Sequence, residues 1–182
     1  MEDLKIWDWN YAFEIFPQIA ACLKVTISAA LAGFLLALVL GLVLAVHLRI
    51  KSKIIRKPIE WGIDLIRSTP LLVQLYIIYY VLPDFGILLT PFVTGVLGLG
   101  IHYSTYLSEV YRSGIDAVPK GQWEAADAIG FSSFQTWVKI VLPQAVPPII
   151  PIMGNYLITI FKDTPILSAI SLVEILQKSK II

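Results

Sequence analysis

Three groups of residues in this chain have types and spacing suited to chemistry, and in each case the chemistry is recognition. Lys162-Asp163-Thr164 sets a cation, an anion and a hydroxyl side by side at the end of a long apolar run. Ionisable groups in such a place mark solute pathways more often than decoration, and one charge of each sign suits the two ends of a zwitterion. The plainer assignment for the same residues is a helix end at the water–lipid boundary. Arg67 has two assignments as well, lining a path or pairing with Asp64 three residues earlier on the same helical face. Glu124-Ala-Ala-Asp-Ala-Ile-Gly130 differs from both. Alanines favour a helix there, and a glycine tolerates the left-handed cap that ends one. Glu124, Ala125 and Ala126 would then form a protruding knob that another protein can approach closely, with Ala126 small enough for tight docking and Gly130 at positive φ.

Covalent chemistry is not indicated. No G-x-x-x-x-G-K-[ST] run occurs, so ATP is not expected on a P-loop of this chain. His47 and His102 lie in different apolar runs without a cysteine near either, which reads as packing or interfacial histidine rather than a metal set. Cys22 is the single cysteine and cannot form an internal disulfide. No Ser/His/Asp set or paired carboxylates can be argued. A net charge of +1 gives no electrostatic case for nucleic acid.

The elements that must hold these groups are membrane helices. Of the 182 residues, 57% are hydrophobic and 15% charged, against ~25% charged in soluble domains. Val25 to Val46 contains no charge over 22 residues, enough for the ~20 that cross a bilayer. Gly33 and Gly41 within it would admit a neighbouring helix closely. The next loop carries Arg49, Lys51, Lys53, Arg56 and Lys57 with no acid, which places it in the cytoplasm and the N-terminus outside. The acidic, aromatic lead with Trp7, Trp9 and Tyr11 suits the membrane boundary and is not a signal peptide. Ser68-Thr69-Pro70 breaks the second crossing, where proline frees a carbonyl that neighbours must satisfy. Pro143, Pro147, Pro148 and Pro151 argue against a straight helix in the fourth.

The expected architecture is all-α: one transmembrane domain over 1–182, with an external lead at 1–16 and spans at 19–48, 58–82, 85–112 and 140–161. A cytoplasmic loop occupies 114–135. About ten apolar residues after Pro165 are too few to cross, so 165–177 reads as an interfacial or re-entrant helix.

The spacing E-A-A, three residues, G, nine residues, I-x-L-P is filled at Glu124, Ala125, Ala126, Gly130, Ile140, Leu142 and Pro143. It resembles the cytoplasmic signature loop of permease subunits in bacterial ATP-binding-cassette (ABC) importers. Arg67-Ser-Thr-Pro-Leu-Leu-Val-Gln-Leu75, Tyr106 to Ile115 and Phe161-Lys-Asp-Thr-Pro165 are similar to runs in the polar-amino-acid branch of that family, with Pro165 where serine is usual. The resemblance implies a multi-pass subunit of the bacterial inner membrane. Its coupling helix would dock on an ABC ATPase dimer that binds the ATP and Mg, with no cofactor in this chain. It also implies a second permease subunit, alike or different, surrounding lipid, and an extracytoplasmic solute-binding protein that delivers a small polar amino acid or related zwitterion. A fifth span, usual in that branch, would lie beyond Ile182. An ion-gradient-driven secondary transporter or channel is the competing function class, although the inverted repeats typical of such proteins are not found. A membrane-anchor subunit is a third.

Overall fold

The computed structural model describes residues 8–181, and among them every regular element is helical. The lead residues Glu2, Asp3, Lys5 and Trp7 lie outside that range. Helix α1 runs from Trp9 to Leu48, ten residues earlier than the span read from hydrophobicity. Its start is fixed by Asp8, whose Oδ1 accepts from the amides of Asn10 and Tyr11 at 2.9 and 3.3 Å. Pro17 is carried within the helix rather than ending it. At 1.5 Å per residue, 40 residues reach about 60 Å, twice the hydrocarbon core of a bilayer, so the apolar half alone fills a crossing.

The main contact of α1 is with α4 (Pro91–Asp116), not with its chain neighbour. Thr26, Ala29, Ala30, Gly33, Ala37, Gly41 and Ala45 form a small-residue ridge along it, all buried. A Cβ at Gly33 would stand 3.0 Å from Leu99 Cβ, and one at Gly41 would stand 3.0 Å from both Leu107 Cβ and the Ser104 carbonyl. The two backbones therefore meet where side chains are absent, the way helices associate where lipid competes with every apolar contact.

Helix α2 (Lys53–Ser68) and the run Leu71–Phe85, which opens with α3 (Leu71–Tyr76), are bent 104° apart at Thr69-Pro70. The break expected at this proline is thus a corner, and 58–82 is not one straight crossing. Pro70 cannot donate to the Ile66 carbonyl. Gln74 Nε2 does so instead at 2.7 Å and also reaches the Thr69 carbonyl at 2.9 Å, while Thr69 Oγ1 donates to the Leu65 carbonyl at 2.7 Å. The chain continues through a π-helical turn, Ile77–Val81, and a 3₁₀ turn, Leu82–Phe85, closed by Gly86 at φ +80°.

After α4 come α5 (Lys120–Ala128) and the single turn α6 (Ser133–Thr136), which carries a Ser132/Gln135 capping box. A π-helical turn over Trp137–Val141 leads into α7 (Leu142–Asp163). Here the expectation of a broken fourth span is corrected: α7 is continuous through Pro147, Pro148 and Pro151. Pro143 sits in its first turn, where a missing N–H is harmless, and the π turn just before it takes up the altered hydrogen-bond register.

The helix tightens to 3₁₀ over Thr164–Ile170 and stops at Ser171, φ 64°. The single interfacial helix expected at 165–177 is therefore not formed. A new helix, α8 (Ile175–Ile181), starts at Glu174, which is 1% exposed and whose carboxylate accepts from the amides of Leu176 and Gln177 at 2.9 and 2.7 Å. Among the described residues, Trp9–Leu48 and Ser133–Ile170 are long and apolar enough to cross a membrane, and the bent pair α2–α3 makes a third when taken as one span. Helix α4 has 26 residues but spends much of its surface on Gly, Ser, Thr and Tyr. It is held in the middle of the bundle by packing rather than by apolar composition.

Candidate functional site: a charged cleft and a docking knob

Arg67 ends α2 just before the corner, and its guanidinium turns toward α4. Nη1 lies 3.7 Å from Glu109 Oε1, Nη2 donates to the Thr105 carbonyl, and the group sits 5.3 Å from the Tyr106 ring centroid. Asp64 is not its partner. The helical spacing of three suggested that pair, but Asp64 faces a groove with Pro58, Trp61 and Leu65. Arg67 Nε is buried and donates to nothing, an uncommon state for a guanidinium N–H.

Around it, α4 and α7 supply aromatic walls. Tyr103, Tyr106 and Tyr156 have centroids 6.2 Å apart pairwise, and His102 lies 5.2 and 5.3 Å from the first two. Arg67, Tyr106, Glu109, Val110, Ser113 and Tyr156 line an open cleft of about 350 Å³. Residues 102, 103, 106, 109, 110 and 113 recur at helical spacing of three and four. That periodicity was the available signal for Tyr106 and Glu109, which the sequence reading placed at the end of a span and in the family-like run Tyr106 to Ile115 without a role in the cleft. His102 is a packed histidine as expected, its Nδ1 3.0 Å from Gln74 Nε2. The side chain that supports the proline corner thus also touches the aromatic wall.

Lys162 and Asp163 are not brought together. Asp163 points to the interior and accepts the hydroxyl of Tyr103. Lys162 is exposed and lines an apolar groove of about 390 Å³ between α1 and α7, with Ile27, Leu31, Ile158 and Phe161. Neighbours on a helix point about 100° apart, which is why adjacency in sequence does not give adjacency in space here. Thr164 is buried, and its hydroxyl donates to the Phe161 carbonyl at 2.9 Å. Of the four path residues named from the sequence, Arg67 borders the 350 Å³ cleft and Asp163 backs it through Tyr103.

The second site is α5. Gly130 has φ +77° and follows its last turn, as the motif requires. Glu124, Ala125, Asp127 and Ala128 are exposed, but Ala126 is 2% exposed. The small size of Ala126 therefore serves the packing of the loop itself, and Ala125 is the alanine presented outward. Trp123 packs edge-on against Trp137 at 5.3 Å, over Val118, Val141 and Ala145. Arg49 at the end of α1 ties this loop to the bundle: it pairs with Asp116 at 3.0 Å and lies 5.8 Å from the Trp137 ring. A cleft of about 390 Å³ opens beside Glu124, bordered by Trp123, Asp127, Phe131 and Trp137.

Residues 37–178 match the family described as binding-protein-dependent transport system inner membrane component. The chain is 46% identical over 172 residues to y4tG of Sinorhizobium fredii, a probable amino-acid ABC transporter permease, covering 94% of this chain and 74% of that one. It is 37% identical over 162 residues to TcyB, the L-cystine transport system permease of Bacillus subtilis, covering 87% and 66%. A crystal structure of an amino acid ABC transporter with histidines has a chain that superposes with a TM-score of 0.88 at 32% identity, covering 96% of this chain and 82% of that one. The chain thus spans about three quarters of the length of these relatives. With the signature loop formed and the helical arrangement shared, this chain belongs to the binding-protein-dependent inner membrane component family, the permease subunits of ABC importers.

Proposed function

We propose that this permease subunit moves a small polar amino acid, or a related zwitterion, through the bacterial inner membrane. The observation that carries the solute class is the Arg67–Glu109 cleft. It holds one guanidinium with an unused, buried N–H, one half-exposed carboxylate and two tyrosine rings. The carboxylate of a zwitterion takes the guanidinium of Arg67, and its ammonium takes Glu109 and the face of Tyr106 or Tyr156. This pair replaces Lys162 with Asp163, which face different sides of α7. Asp163 keeps a supporting role by holding the Tyr103 hydroxyl.

In this reading the N-terminus is outside, and α1, α2–α3, α4 and α7 are the four crossings. The basic loop after α1 and the α5 loop are cytoplasmic. α5 offers Glu124 and Ala125 to an ABC ATPase dimer, which binds ATP and Mg, while a second permease subunit completes the path and an external binding protein delivers the solute. Transport is alternating access, two global states biased from both ends of the subunit. The similarity to amino-acid permeases supports this reading over a gradient-driven carrier.

The test is ATP-driven uptake of labelled L-amino acids by the complete complex in vesicles. Arg67→Gln and Glu109→Gln should each raise the KM for the transported amino acid at least tenfold while the ATPase stays bound. Wild-type KM in both variants would remove the cleft from the path, and uptake independent of ATP would return the gradient-driven reading.

A further inference from the structure

Glu109 is shared in an unusual way. Its Oε1 lies 3.7 Å from Arg67 Nη1 and 3.6 Å from Arg112 Nη1, so one carboxylate serves two arginines. Arg67 borders the 350 Å³ cleft described above. Arg112, one turn further along α4, borders a different cleft of about 460 Å³, lined by Leu48, Arg49, Arg56, Glu60, Arg112 and Asp116. These residues come from three helices that end or begin at the same face of the bundle, the one carrying the basic loop.

The charges in this second cleft do not balance. Arg49 is paired with Asp116 at 3.0 Å, and Arg56 Nε lies 3.0 Å from Glu60 Oε1, an ion pair without hydrogen-bond geometry. That accounts for both acids and leaves Arg112, whose one carboxylate partner stands outside the cleft and is already shared. All these pairs are partly exposed. Such pairs contribute little net stability and exchange partners readily, whereas a guanidinium fork offered a free carboxylate gains a bidentate, charge-assisted contact.

We infer that the Arg49–Arg56–Arg112 cleft is a second solute station, on the inward side of the path, which receives the carboxylate of an amino acid after it leaves Arg67. The inference rests on the amino-acid reading given above. Glu109 stands between the stations. When the solute carboxylate displaces it from Arg67 it retains Arg112, and when the carboxylate moves to Arg112 it returns to Arg67. Each exchange leaves every charge paired, so the solute crosses this stretch without stranding an uncompensated arginine.

Stoichiometry tests this directly. The assembled permease–ATPase complex, without nucleotide or binding protein, is equilibrated with each labelled L-amino acid in turn, and bound label per permease chain is counted. Because the two stations share Glu109 and fill alternately, one bound amino acid is expected in the wild type, one in Arg112→Gln, one in Arg67→Gln, and none in the double variant Arg67→Gln/Arg112→Gln. A wild-type count of one that falls to zero in Arg67→Gln and stays at one in Arg112→Gln overturns the second station and leaves the first. A count that depends on Arg112 and not on Arg67 does the opposite. Zero for every amino acid overturns both. Retention of phosphatidylglycerol by the wild type and not by Arg112→Gln, with amino acid unable to displace it, overturns the proposal by assigning the cleft to a lipid headgroup.

Discussion

Aspartate placed at position 126 and then at 125 separates what the α5 loop needs for itself from what it offers a partner. Ala126 is 2% exposed, and Trp123, three residues earlier on the same helical face, packs against Trp137. A carboxylate there loses its hydration, and leaving a charge buried and uncompensated costs about 3–5 kcal/mol. Against a total stability of roughly 5–15 kcal/mol for a domain, that is a severe loss. At about 2–4 °C per kcal/mol for a chain of this size, the thermal midpoint in detergent should fall by on the order of 10 °C. Ala125 is exposed, so Ala125→Asp should change stability by no more than about 0.5 kcal/mol. Placed in the proposed contact with the ATPase, however, its charge should weaken association at least tenfold. The assay pairs thermal unfolding of each variant with pull-down of the ATPase. If Ala126→Asp melts with the wild type and merely loses the ATPase, then position 126 acts by docking and the burial argument is wrong. If Ala125→Asp binds the ATPase normally, α5 is not the docking element.

Three further outcomes follow from the same geometry. Gln74→Leu leaves the Ile66 carbonyl with only the 3.3 Å contact from the Thr69 amide; it should destabilise by about 1–3 kcal/mol, and a denaturation midpoint equal to wild type would show that water replaces the amide. Gly41→Val pushes a branched side chain into Leu107 and the Ser104 carbonyl; it should cost about 1–3 kcal/mol or more by forcing α1 from α4, read as lost detergent stability, whereas the same change at Gly62, which has open space, should not be felt through steric contact. Single cysteines in a Cys22→Ala background should report topology: Asp84→Cys labelled by an impermeant thiol reagent on intact cells, Lys53→Cys and Gln122→Cys only after permeabilisation. External labelling of Gln122→Cys would sink the orientation and the coupling role together.

How much was legible in the sequence depended on whether the signal was periodic or contingent. Apolar length located α1 and α7, and the E-A-A…G spacing anticipated both the α5 helix and the positive φ at Gly130. Gly33 and Gly41 were readable as contact points because absence of a side chain means the same thing in any fold. The proline arguments split. Pro70 makes a corner because Gln74 and Thr69 take up the freed carbonyls there, while the three prolines inside α7 leave the helix continuous. Proline fixes what is lost locally, but only the neighbours decide whether the chain turns. The pairing of Arg67 was misplaced for the same kind of reason. A partner three residues away on the helix was visible, and Glu109, forty-two positions on, was not.

The position of α4 gives the two sites a physical link. Its middle carries Tyr106, Glu109 and Ser113 into the 350 Å³ cleft, and its end carries Asp116 to Arg49, whose guanidinium also lies over Trp137 beneath α5. The segment between Glu109 and Asp116 is unbroken helix, and its Gly114 is pressed against α7, where a Cβ would meet the Ala145 carbonyl at 2.8 Å. A packed helix of this kind has little room to bend, so displacement at its loop end moves the cleft end with it. The α7 side instead carries the π turn Trp137–Val141, where hydrogen bonds run one residue longer than in the rest of the helix. From α5, a stiff arm runs through α4 toward the 350 Å³ cleft, and a second route runs through the π turn into α7. Under the proposed function, coupling rests on the stiff arm, and Glu109 is where that arm meets the proposed solute path.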